Sequence, residues 1–97
     1  MKVIKEKLNN LRKGNTSLYE VYYHTNGENA LCGKMSTCQE ACERALELAE
    51  NFAGDEFESR DEKVNNIFSI YLCDAETGDD VTPLGLINEF SNIVTKI

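Results

Sequence analysis

Between Ser36 and Phe52 the small and apolar residues Cys38, Ala41, Cys42, Ala45, Ala49 and Phe52 return at intervals of three or four. Gln39, Glu40, Glu43, Arg44, Glu47, Glu50 and Asn51 fill the positions between them. At about 100° per residue the first set lies on one side of a helix and the second on the other. Ser36 with Gln39, or Thr37 with Glu40, reads as a capping box, and Gly54 as the stop. The centre of the apolar face is small, which lets the helix approach a flat partner closely. A sheet is the partner this face calls for.

The flanking stretches supply strands. Leu18 to His24 alternates and is rich in aromatic and β-branched residues, and Asn26-Gly27 follows as a two-residue hairpin turn. An uninterrupted type I′ register sets Thr25 opposite Glu28, Tyr23 opposite Ala30, Val21 opposite Cys32 and Tyr19 opposite Lys34 on one face. It sets Tyr22 opposite Leu31 and Glu20 opposite Gly33 on the other. The face of Tyr19, Val21, Tyr23, Ala30 and Cys32 is expected to meet the long helix.

Beyond Gly54, residues 55–63 are a charged stretch whose one apolar residue is Phe57, and they read as a solvated loop. Asn66 to Cys73 reads as a strand, and Val81-Thr82 as a short returning edge strand that Pro83 ends. From Leu84 on, Leu86, Ile87, Phe90, Ile93, Val94 and Ile97 recur at helical spacing. At the other end, Ile4, Leu8 and Leu11 form an apolar stripe in a short helix over residues 3–12, stopped by Gly14. The expected fold is α+β: a small antiparallel sheet of two hairpins, in a ββαββ core, packed on one long amphipathic helix. Short terminal helices complete a single domain over residues 1–97, whose basic segment 1–14 is free to fray or to dock.

The chain has 97 residues, 41% hydrophobic and 28% charged, which suits one soluble domain with its own core. No apolar run approaches the roughly 20 residues a membrane span needs. The first residues lack the apolar centre of a secretory signal, so a cytoplasmic location is expected. Four cysteines in that compartment are expected to stay reduced, and two lie on the buried side of the long helix. Charge is unevenly spread. Residues 1–13 carry Lys2, Lys5, Lys7, Arg12 and Lys13 against Glu6, a local +4, and with ten bases and seventeen acids in all, the rest holds −11. So acidic a body repels phosphate backbones, which argues against direct nucleic-acid binding.

No motif amounts to a catalytic signature. Cys32, Cys38, Cys42 and Cys73 could in number satisfy a tetrahedral zinc ion. Their spacing contains no Cys-x2-Cys pair, however, and thiols facing alanines are ordinary content of a tight helix–sheet contact. The single histidine, His24, falls on the face opposite Cys32, away from any nucleophile. The acids from Asp74 to Asp80 fail the calcium-loop pattern, because the sixth residue from Asp74 is Asp79 and the twelfth is Gly85. No glycine-rich phosphate loop is present. No enzyme activity, cofactor or metal is therefore expected.

What remains is binding. Glu40, Glu43, Glu47 and Glu50 make an acidic stripe on the long helix, which Asp55, Glu56 and Glu58 extend. Such a stripe is commonly a solvated face. As a functional one it suits a basic protein partner, such as one whose own groove holds nucleic acid. In size and charge the chain is similar to small acidic inhibitors of mobile elements, anti-restriction and anti-CRISPR proteins among them, an analogy of class with no residue motif behind it. The alternative is a structural or assembly module, a homodimer formed through the second sheet face with Tyr22, Leu31 and Tyr71. A cysteine-based zinc protein is the third reading.

Overall fold

The computed structural model describes residues 18–97. The helix expected over residues 3–12 lies outside them. Strand β1 (Tyr19–Thr25) and strand β2 (Glu28–Met35) are joined through Asn26 and Gly27, whose φ angles of 50° and 79° are the positive pair a type I′ turn requires. Helix α1 (Cys38–Gly54) follows, then helix α2 (Arg60–Phe68), strand β3 (Ile70–Asp74) and helix α3 (Leu84–Thr95). The three strands form one antiparallel sheet in the order β2-β1-β3. The fold is thus a small α+β arrangement in which helices pack together over one side of an antiparallel sheet.

Helix α1 begins where the second of the two expected caps places it. The Thr37 hydroxyl accepts the Glu40 amide at 3.1 Å and donates to the Glu40 carboxylate at 2.9 Å. Ala41, Ala45, Leu48 and Ala49 are its buried residues, with Cys38, Cys42, Leu46 and Phe52 half-buried around them. Three alanines at the centre allow α1 to lie close across all three strands. From the sheet, Val21, Ile70 and Leu72 meet it, and Ile67, Leu86 and Phe90 close the core from the other helices. Val21, Ile67, Leu72 and Phe90 are the largest fully buried side chains, each contributing roughly 1.5–3 kcal/mol by burial. Helix α3 packs on α1 and α2, and Phe90 meets Phe68 edge-on at 6.4 Å.

Four expectations are corrected. The charged stretch after Gly54 is only in part a loop, because Ser59 caps a helix by accepting the Glu62 amide at 3.1 Å. Asn66 to Phe68 belong to that helix, so the strand expected from Asn66 starts at Ile70. The second hairpin does not form. Its returning strand is reduced to one bridge between Cys73 and Asp80 and one amide bond from Val81 to the Leu72 carbonyl at 2.8 Å. The Leu72 amide is taken by the Thr82 hydroxyl at 2.9 Å, a side chain standing where a strand carbonyl would be. Pro83 then opens α3 and leaves no length for further pairing.

The fourth correction is register. Thr25, Tyr23 and Tyr22 pair with Glu28, Ala30 and Leu31 as expected, but a bulge intervenes between Tyr22 and Val21. Cys32 is the extra residue, so Val21 faces Gly33, Glu20 faces Lys34 and Tyr19 faces Met35. The bulge moves Lys34 to the side of the sheet away from α1 and brings Met35 into the core margin in its place.

Candidate functional site

The sheet has one side covered by α1 and another that no helix among the described residues touches. On that open side, adjacent strands set residues in rows. Leu31 lies opposite Tyr22, and Tyr22 opposite Tyr71. The two rings stack at 5.6 Å with a 17° tilt, and Leu31 remains 48% exposed. The three residues expected to share a second sheet face are therefore brought together. Their union depends on β3 pairing with β1, which no local signal in the sequence specifies.

The next row holds Lys34, Glu20 and Cys73. Sequence reasoning did not place these three together, since the bulge and the β1–β3 pairing decide it. The Tyr22 hydroxyl donates to the Glu20 carboxylate at 3.2 Å. Burial raises the Tyr22 phenol above its ordinary range, and the Glu20 carboxylate adds to the shift. Cys73 is 7% exposed, with the returning segment bridged to it through Asp80. Burial pushes its thiol up, and the carboxylates of Asp80, Glu20 and Asp79 push it further. The carboxylates outweigh other charges at the Cys73 thiol itself, while Lys34 faces Glu20 from β2 in the same row.

The acidic stripe stands on the far side of α1. Glu40, Glu43, Glu47 and Glu50 are all exposed, within an arc of about 80° at 100° per residue. Their carboxylates are not all idle. Glu40 serves the cap, Glu43 accepts from Gln39 at 3.2 Å, and Glu47 pairs with Arg44 at 2.8 Å. Arg44 also donates through Nε to the Cys32 carbonyl at 3.0 Å, tying α1 to the bulge. Gly33 gives this crossing its room: a Cβ there would sit 3.2 Å from Arg44 Cγ and 2.9 Å from Met35 Cε.

Asp55, Glu56 and Glu58 continue beyond α1 as exposed residues, around an open depression of about 560 Å³ that Arg60, Lys63 and Ile97 also line. The two bases are turned to backbone. Lys63 donates to the Ala53 carbonyl at 2.9 Å, and Arg60 to the Val94 carbonyl at 3.3 Å, near the C-terminal ends of α1 and α3. Tyr23, Phe52 and Phe57 form a run of edge-on rings, at 5.2 and 6.3 Å, that holds the connection against the core.

The cysteines do not converge. Cys38 and Cys42 share one turn of α1, Cys32 sits at the bulge, and Cys73 lies on the other side of the sheet. All four are free thiols, and no group of three or more histidines, cysteines or acids among the described residues is placed to hold a metal ion. Burial pushes Cys42 from its ordinary 9.0 to about 11, with the neighbouring Cys38 contributing. Cys32 is raised by burial and lowered in part by Arg44. His24 is exposed and bonded through Nδ1 to the Asn29 amide oxygen at 2.8 Å. No helix among the described residues is long and apolar enough to cross a membrane. Compared with family models, with curated proteins and with solved structures, the chain matches none.

Proposed function

We propose that this chain is a non-enzymatic binding protein whose acidic surface engages a basic protein partner. The observation that carries the reading is the exposed arc of Glu40, Glu43, Glu47 and Glu50 on a helix held by three strands, continued by Asp55, Glu56 and Glu58. Carboxylates at fixed spacing raise the rate of encounter with a basic groove and compete there with phosphates. An inhibitor of a nucleic-acid-binding enzyme, of the anti-restriction or anti-CRISPR type, is the sharper form of this reading. The partner would be cytoplasmic, and the chain itself would touch neither nucleic acid nor membrane.

Charge reversal is the test. In the triple variant Glu43→Lys, Glu47→Lys and Glu50→Lys, folding should barely change, because exposed charges contribute little to stability. Capture of the partner should be lost. Wild-type capture should weaken steeply with salt and yield to added DNA duplex, as expected of contacts screened beyond about 10 Å. A partner held equally by the variant, at equal salt sensitivity, would reduce the stripe to a solubilising face. A second reading, an assembly module that self-associates through the open sheet side, is favoured by the stacked Tyr22–Tyr71 pair beside exposed Leu31.

A further inference from the structure

The open side of the sheet is a surface of mixed character. Its apolar row, Leu31–Tyr22–Tyr71, is flanked at one end by Glu20, which Lys34 faces on β2, and on the β3 side by the turn that carries Asp74, Glu76, Asp79 and Asp80. Asp74 organises that turn by accepting the Glu76 and Thr77 amides at 2.8 and 3.2 Å. Leu18 enters β1 at this same end. Its amide donates to the Met35 carbonyl and its carbonyl accepts the Ala75 amide, both at 3.0 Å. Residues 1–17 therefore join the described domain beside the acidic turn.

The chemistry of that segment is the complement of the surface. On a helix at about 100° per residue, Ile4, Leu8 and Leu11 fall within an arc of roughly 60°. Lys5 and Arg12 lie along one flank of the arc and Lys7 along the other. Its +4 stands against the −11 of the rest of the chain. The lengths also agree. Ten helical residues span about 15 Å, while three strands cover roughly 10 Å across and Tyr22 lies roughly 13 Å along β1 from Leu18. Gly14 to Ser17 can bridge up to about 14 Å, enough for the chain to fold back.

We propose that residues 2–13 dock in cis on the open side of the sheet, setting Ile4, Leu8 and Leu11 on the row of Leu31, Tyr22 and Tyr71 and the flanking bases toward Glu20, Asp79 and Asp80. The segment is a built-in cover. It shields the apolar sheet surface that the helices of residues 18–97 leave bare, and it competes there with a second copy of the chain. This inference concerns a different surface from the acidic stripe and stands or falls independently of it.

Nuclear Overhauser spectra of the full-length chain test it. Carbon-13-labelled protein should show contacts from the methyls of Ile4, Leu8 and Leu11 to the rings of Tyr22 and Tyr71. In an equal mixture of labelled and unlabelled chains, the isotope-filtered spectrum should show none of these contacts between copies. The variant Leu8→Asp with Leu11→Asp should lose them, while the contact between the Tyr22 and Tyr71 rings persists and reports an intact sheet. A folded wild-type spectrum without segment-to-ring contacts overturns the proposal. Contacts seen only between copies also overturn it, and transfer the face to self-association.

Discussion

Ala45 has no exposed surface and lies on the face of α1 that packs in the core with Val21, Ile70 and Leu72. Any added methyl group there must displace a strand or the helix itself. Ala45→Leu should cost about 1–3 kcal/mol through overpacking, read as a lower urea midpoint at unchanged slope; an unchanged midpoint would mean the contact has slack. Cys42 offers a second residue-level test. Its thiol is raised from 9.0 to about 11, so the folded chain holds this proton more tightly than the unfolded one. The stability that follows is fully present below the unfolded value and is lost as pH rises through the folded one. Wild type should weaken between about pH 9 and 11 by more than Cys42→Ala does, and equal slopes would remove the assignment. Both residues belong to the face that periodicity marked out. Leu48 belongs to it too and is buried, although the alternation of small and polar neighbours does not single it out.

Elements were legible where a cap, a turn or a period is encoded locally. The Asn26-Gly27 hairpin and the Thr37 cap are of this kind, since their hydrogen bonds close within three residues. Helix α2 carries an equally local signal, Ser59 followed by Glu62, with Val64, Ile67 and Phe68 at helical spacing. Its density of charge hides it, because a short helix with one buried residue, Ile67, resembles a solvated loop in composition. Ser59→Ala should cost about 1 kcal/mol, as Thr37→Ala should. Hydrogen exchange should separate the two, with amides 60–63 losing protection in the first variant and amides 38–41 in the second. Unchanged exchange at residues 60–63 would show that tertiary packing alone holds the start of α2. The bulge at Cys32 carries no such signal. An extra residue on an edge strand becomes visible only when the Arg44 guanidinium seats on its carbonyl and the next residues re-pair with β1.

At the scale of the molecule the deciding feature is that the three helices among the described residues pack over one side of the sheet. Helix α3 could have covered the open face. It is drawn instead to α1 and α2, where Leu86 and Phe90 are buried at 3% and 1% exposure. A sheet side bearing stacked tyrosines and a half-exposed leucine must meet solvent, the chain's own segment or another molecule. With cis closure, the full chain should sediment as a monomer at two widely separated protein concentrations. A mass that grows with concentration would instead favour the assembly reading.

The amino-acid sequence by itself determined the amphipathic helix and its cap, the first hairpin turn, the terminal helical period and the contrast between a basic start and an acidic body. Each is a property of neighbouring residues, set by backbone conformation, side-chain period or simple charge. Only the tertiary structure decided that β3 pairs with β1, that the second hairpin stops at a single bridge, and that Lys34 faces Glu20 across a bulge. Those outcomes depend on which distant groups satisfy one another once the core has formed. A strand that finds the Thr82 hydroxyl for its Leu72 amide needs no further partner there, and no period in the sequence records that exchange.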